Sequence, residues 1–324
     1  MKRLFFRLSV SLLAALLMLS LFRVSDRALV PVLPPEEQSG YIADDEIIAS
    51  IGGLGLSYAE YRYQVFRALS SDLGLTASEA DLTYDEELIA LLPKLALHRA
   101  ALWRAVTRMA MEANLTVPDP PTSVVEALCS EPYMTENVAF GEYHDNALRS
   151  LLYLNRYGAD ASLFPEERAI AWGNEAAVVR LRVLWLSADR EQYHADEIAD
   201  RLSQLKIFLA QLRQGDADFD TLCRVYSEKQ SDAEGMQLLP SCAEQELYRA
   251  ALSVSENDYA VCQTERFVCL VMRLPLSAEA ETGGSTLRVL AAQADFAAAL
   301  SEAADSLSVS YRKIWKKIQL NKLF

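Results

Sequence analysis

At Ala176 the apolar residues of this chain change their period, and that switch sets the fold class. Before it, from Glu86 to Ala113, Leu88, Leu91, Leu95, Leu102, Val106 and Met109 recur at helical spacing, the stripe of a core-facing helix. Past it, Val178 to Leu186 alternates apolar and basic residues through its middle, where Arg180 and Arg182 stand, which predicts a strand with one wet face. Ile198, Leu202, Leu205, Leu209 and Leu212 then define an amphipathic helix that Gly215 stops. A short helix carrying Phe219, Leu222 and Val225, a helical piece from Glu244 to Leu252, and a hairpin of Tyr259 to Cys262 with Phe267 to Leu274 complete the segment. Residues 176–276 therefore read as an α+β domain on a small, mostly antiparallel sheet.

The preceding chain reads as a leader, a spacer and an all-helical module. Lys2, Arg3 and Arg7 precede an uncharged apolar run from Leu8 to Phe22, which makes residues 1–27 an export signal or membrane anchor. The run is at the upper end for a signal peptide and short for a span of about 17–25 residues. Phe22, Arg23, Asp26 and Arg27 crowd the positions a signal peptidase would need, so an uncleaved anchor is favoured over a cleaved signal. Residues 28–46, Pro-rich and acidic, suit an extended spacer. The module spans 47–175. Within it, Ser57-Tyr58-Ala59-Glu60 is a capping box, Thr76-Ala77-Ser78-Glu79 suggests a second helix start, and Pro93 is expected to start or kink the long helix. Asn114 is placed as that helix's C-terminal cap, and further helices are expected over Ala147 to Tyr157 and Pro165 to Glu175. Downstream of the α+β domain, Ser277 to Ser285 reads as a linker and Thr286 to Leu307 as an Ala-rich helix. The basic and apolar tail around Trp315 is expected to dock on the helical module in preference to an anionic surface, so that 285–324 returns to it.

Charge and cysteine usage narrow the partners. Against 31 basic residues stand 45 acidic ones, a formal charge of −14, which argues against nucleic acid because phosphate binding needs clustered cations. No Walker loop or G-x-G-x-x-G is present, so nucleotide use is not expected; no cofactor is implied, and the three scattered histidines imply no metal. No G-x-S-x-G elbow appears. The five cysteines have neither CxxC nor zinc spacing and read as small buried apolar residues. With Gln263 to Arg266 as the hairpin turn, Cys262 should face Phe267 and not Cys269, which disfavours a disulfide between the two cysteines.

The order of these parts resembles the SurA/PrsA-type extracytoplasmic foldases, in which a parvulin domain interrupts a helical chaperone module built from both ends of the chain. Ala49-Ser50-Ile51-Gly52-Gly53 with Leu56-Ser57 and Glu60-Tyr61 is similar to the family's opening pattern A-x-V-N-G-x-x-I-T-x-x-E-Y/F. Val179 to Leu184 is similar to the parvulin strand V-R-A-R-H-I-L. Gly215-Asp216-Ala217-Asp218-Phe219 with Leu222 and Tyr226-Ser227 matches G-x-D-F-x-x-L-A-x-x-Y-S, and Cys269-Leu270-Val271 resembles Y-H-I-I-K-L. The resemblance implies a peptidyl-prolyl isomerase fold, yet its two histidine positions are held here by Val183 and Cys269. Glu234 to Leu238 replaces G-G-D-L-G, and Leu252 to Ser255 replaces L-x-x-G-x-x-S without its glycine. By the same resemblance Leu247 and Tyr248 would form an apolar substrate wall, with Asp232 or Glu228 as polar neighbour. For each of these the packing or solvated role is the plain alternative.

The expected function is thus a membrane-anchored extracytoplasmic chaperone whose parvulin-like domain lacks its catalytic pair. Unfolded or exported polypeptides would be the partners, and the chain would be secreted if the signal is cleaved. Two rivals stay open: a working isomerase that tolerates Val183 and Cys269, and a scaffold for one dedicated partner.

Overall fold

A computed structural model describes residues 42–76, 85–230, 234–320 and 323; the leader, most of the spacer, the second helix-start motif after Thr76, and Asp232 lie outside the described residues. The chain has an α+β fold that divides into two compact units, Met1–Arg156 with Phe296–Phe324, and Tyr157–Asp295. Each is described by itself below. The boundaries fall before α5 and within the Ala-rich helix, so the second unit is wider than 176–276. One reason is that Gly173 lies directly against Leu276 and Leu287, too close for any side chain there.

The first unit is not all-helical. Strand β1 (Ile47–Ile51) pairs antiparallel with β2 (Leu54–Ser57) on one side and with β9 (Val309–Tyr311) on the other. Gly52 and Gly53, with φ of 56° and 85°, form the two-residue turn between Ile51 and Leu54, a conformation that side chains resist and glycine adopts freely. Helix α1 (Tyr58–Arg67) follows, and Ser57 Oγ accepts from the Glu60 amide at 3.2 Å. Only that half of the expected capping box forms. The Glu60 carboxylate instead takes a two-pronged bond from Arg104, at 2.8 and 2.7 Å, and Arg104 also donates to the Gly55 carbonyl at 2.7 Å. A buried guanidinium is a stronger partner for a buried carboxylate than a single amide.

Helix α2 (Glu86–Glu112) starts from Asp85, whose side chain accepts from the Leu88 amide at 2.9 Å. Pro93 sits well inside it, neither starting nor ending it. The buried face is set by Leu92, Ala96, Ala100 and Ala105 as much as by the larger residues, since Leu91, Leu95, Leu102 and Met109 are only half-buried. Asn114, at φ 53°, ends the helix: its amide bonds Met111 O at 3.1 Å and that of Leu115 bonds Ala110 O at 2.8 Å. This is the paired closure of a left-handed C-terminus. Helices α3 (Thr122–Leu128) and α4 (Glu136–Tyr157) follow; α3 was not expected, and α4 begins earlier than Ala147. The chain end returns to this unit. Trp315 is buried edge-on to Tyr61, 5.0 Å between ring centroids, and Ile318 and Leu323 join the same core, while Arg312, Lys313, Lys316 and Lys317 face outward.

The second unit opens with α5 (Glu166–Glu175), and its sheet runs β5 (Tyr259–Gln263), β6 (Phe267–Leu274), β3 (Val179–Ser187), β4 (Met236–Leu238), β7 (Glu281–Thr282), β8 (Ser285–Thr286) from edge to edge. At its centre β3 (Val179–Ser187) pairs antiparallel with β6 (Phe267–Leu274) and, at its start, with β4 (Met236–Leu238). Two helices, α6 (Ala195–Gln214) and α7 (Phe219–Tyr226), cover one face through Leu205, Phe208, Leu212, Phe219 and Leu222 against Leu184, Leu186 and Leu270. That face is therefore not wet. Even Arg182 is drawn in, its guanidinium 5.4 Å above the Phe219 ring and paired with Asp220. Val225 is exposed, and Cys223 is buried in its stead. Helix α8 (Gln245–Leu252) covers the other face.

The expected linker is part of the sheet. Strands β7 (Glu281–Thr282) and β8 (Ser285–Thr286) form a hairpin around Gly283 and Gly284, the same Gly-Gly turn as in the first unit, and β7 runs parallel to β4. Buried Gln237 fixes it, donating to Thr282 Oγ1 at 2.8 Å and accepting from the Ser277 amide at 2.8 Å. Helix α9 (Leu287–Asp305) follows directly.

Candidate functional site

The face of the second sheet beneath α8 holds the residues singled out in the sequence. Alternation along β3 turns Val179, Leu181, Val183 and Trp185 to this side, where they meet Cys269 and Val271 of β6. Val183 stands opposite Val271, and Trp185 opposite Cys269. The two histidine-equivalent positions are thus diagonal neighbours on one face, 2% and 0% exposed. Trp185 closes the space beside them, edge-on to Phe267 at 5.3 Å between centroids.

Leu247 is wholly buried in α8, and Tyr248 is nearly so, with its hydroxyl donating to the Ala177 carbonyl at 2.8 Å. Burial raises the Tyr248 pKa, and the ring packs as part of the core. Glu228 is engaged elsewhere. Its Oε2 accepts from the Ser187 amide at 2.7 Å, its Oε1 from Arg201 at 2.5 Å, and its own amide donates to the Trp185 carbonyl at 2.8 Å. Ser227 Oγ accepts from the Trp185 amide at 3.1 Å and donates to the Lys229 carbonyl at 2.6 Å. β4 pairs with β3 only as far as Leu181, and the Ser227–Lys229 loop seals the edge beyond. A bare strand edge would be a template for foreign strands. Lys229, which drew no attention in the sequence, places Nζ 4.5 Å above the Trp185 ring.

The hairpin register differs from expectation. Thr264 N donates to the Phe267 carbonyl at 2.8 Å, and Phe267 N donates to Thr264 Oγ1 at 3.1 Å, so the turn is the two residues Glu265-Arg266. Cys262 consequently faces Cys269, not Phe267. Both are free thiols, side by side on this face of the sheet. The Cys269 thiol beside it lowers the Cys262 pKa, and the Cys262 thiol together with burial raises that of Cys269. The threonine was the available signal: its side chain mimics a strand amide's partner and tightens the turn.

A cleft of about 500 Å³ lies away from this face, lined by Arg180, Glu234, Met236, Gln237, Ser277 and Glu281 among others. Its polar groups serve one another, as in the Arg180 bond to the Glu234 carbonyl at 2.5 Å. The histidines lie outside both strands: His98 on α2, 3.7 Å from Asp305, His144 on α4, and His194 before α6, where its amide bonds Glu197 at 2.8 Å. Among the described residues no group of three or more His, Cys, Asp or Glu is set to hold a metal, and no helix is long and apolar enough to cross a membrane. Comparison with models of known protein families, and with curated proteins, finds no match.

Proposed function

We propose that the chain is a folding factor of the SurA/PrsA type, tethered to the outer side of a membrane by residues 1–27, that holds unfolded exported polypeptides. One observation carries the reading: a unit assembled from both chain ends, with β1 between β2 and β9, is interrupted by a compact α+β unit. Inside that inserted unit the expected strand, helix, helix, helix and hairpin follow in that order, with the short strand β4 added between the second and third helices. The two histidine-equivalent positions share a face, as a prolyl pocket would need, but their side chains are Val183 and Cys269, both buried beneath α8, with Trp185 packed edge-on to Phe267 beside them.

Prolyl isomerisation makes and breaks no covalent bond, and its barrier of about 18–20 kcal/mol is lost amide resonance, so a catalyst needs an open cradle that favours the twisted amide. A closed face offers a prolyl ring nothing to settle into. The inserted unit therefore acts as a binding or spacing element, and holding of clients is the function. The test dilutes a chemically denatured client enzyme into buffer containing residues 28–324 and follows light scattering. Suppressed aggregation at a few-fold molar excess supports the reading, and unchanged scattering overturns it. A proline-limited refolding assay on the same protein is expected to be flat beside an active parvulin; acceleration would make the chain an isomerase.

A further inference from the structure

The chemistry-bearing groups that the holding function leaves unused are the paired thiols of the β5–β6 hairpin. Strand β5 (Tyr259–Gln263) is the edge strand of its sheet, and its Cys262 is directly opposite Cys269 of β6. Directly opposed residues of an antiparallel ladder have Cα atoms about 4.5–5.5 Å apart, whichever kind of pair they form. A disulfide spans Cα separations of about 4.4–6.8 Å, so this pair can close without moving the strands. As directly opposed residues, the two side chains leave the sheet on the same face. Their exposures differ: Cys269 is fully buried, whereas Cys262 is partly open to solvent at the sheet edge.

We propose that Cys262 and Cys269 are a dithiol–disulfide redox site, with Cys262 as the attacking thiol and Cys269 as the resolving one, and with a small-molecule disulfide as the oxidant. The Cys262 thiolate attacks one sulfur of the incoming disulfide; that S–S bond breaks and one thiolate leaves. Cys269 then gives up its proton and attacks Cys262 Sγ, which forms the cross-strand bond and expels the second thiolate. Two protein thiols are oxidised and one small disulfide is reduced to two thiols. The division of labour has a physical basis, because the more exposed Cys262 has its pKa lowered by the neighbouring Cys269 thiol, whereas the Cys262 thiol and burial raise that of Cys269 and keep it protonated until its turn. Trp185 lies opposite Cys269 on the other side, with Lys229 above its ring, and Cys269 is fully buried, so Cys262 is the more accessible of the two thiols. The inference stands apart from the chaperone reading, since neither thiol need touch a client.

The full chain in mild detergent, fully reduced, is incubated with glutathione disulfide and glutathione at graded ratios, quenched in acid, alkylated and digested with trypsin. Cleavage after Arg266 parts the hairpin between the two cysteines, so the disulfide is read as a linked pair of peptides by mass spectrometry. The expected result is a Cys262–Cys269 link that grows with oxidant and is reversed by dithiothreitol. In Cys269→Ser a glutathione adduct should persist on Cys262, where the wild type shows it only in passing; in Cys262→Ser, Cys269 should stay unmodified. Circular dichroism of each variant reports folding, and the wild-type titration decides the matter if either misfolds. Alkylation of both cysteines at every ratio while exposed Cys129 takes up glutathione would overturn the proposal, as would a link from either one to Cys242 instead.

Discussion

The two units solve the same problem, covering a small sheet, with opposite chain economies. In the first, the middle strand β1 is flanked by its immediate neighbour β2 and by β9 from the far end of the chain, and the covering core draws in Trp315 and Ile318. In the second, one continuous segment supplies every strand and the helices on both faces. Contacts distant in sequence carry the larger loop-closure cost. The first unit should therefore depend steeply on a few residues near the C-terminus, and the second should tolerate their loss.

Removing residues 308–324 is the most severe way to break this contrast. Amide exchange should lose protection throughout β1, β2 and α1 while β3 and β6 keep theirs; uniform loss across both units would show that they are one cooperative block. Trp315→Ala alone should cost the first unit about 3–5 kcal/mol, seen as an earlier first transition on heating.

Arg104→Ala should cost about 3–5 kcal/mol at neutral pH, because it leaves Glu60 buried without its cation. The effect has a defined sign with pH. Burial already holds the Glu60 carboxyl above its usual range against the pull of Arg104, so the native state binds this proton more tightly than the unfolded chain does. Stability from this group is then full below the unfolded pKa of about 4.3 and is lost as pH rises through the native value. Without Arg104 the native value climbs further. Urea titrations of the variant at pH 4 and pH 7 should show the smaller deficit at pH 4; an equal deficit at both would mean the carboxylate finds another cation.

Two smaller changes sharpen the comparison from the side of the second unit. At Gly235 φ is 75°, and a Cβ would lie 2.7 Å from the Leu181 carbonyl oxygen, so Gly235→Ala should cost about 1–3 kcal/mol, confined to exchange in residues 157–295. Ser227→Ala removes the acceptor for the Trp185 amide and should cost about 1 kcal/mol. Its more telling readout is concentration dependence: with the β3 edge unsealed, dimers should appear in sedimentation at high protein concentration, and a strictly monomeric variant would show the loop is not needed as a guard.

How much was legible follows from which interactions are local. The α6 stripe, its stop at Gly215 and the left-handed Asn114 closure are short-range patterns, and all were readable. Both Gly-Gly hairpins were missed, one inside a module read as all-helical and one read as a linker, although a tight-turn glycine pair between β-formers is a hairpin signal. The partner of β1 was invisible, since nothing near Ile47–Ile51 points to Val309–Tyr311. At the candidate site the motif resemblance singled out Val183 and Cys269, which do lie on one face, but the hairpin register turned on the Thr264 hydroxyl bonds, and the facing thiols were missed with it. Tyr248 and Glu228 were nominated for a pocket because sequence shows residue type and not prior commitments, here to the Ala177 carbonyl and to the β3 edge.

The place of β9 beside β1 has a consequence for synthesis. A chain emerging residue by residue displays Ile47–Ile51 before the interior unit, but the strand that completes their sheet is made only after it. The interior unit has all its segments in hand before then and is free to complete its sheet first, the reverse of the usual N-terminal-first order. During that interval the open side of β1 and the unfilled space at Tyr61 wait for Val309 and Trp315 to arrive.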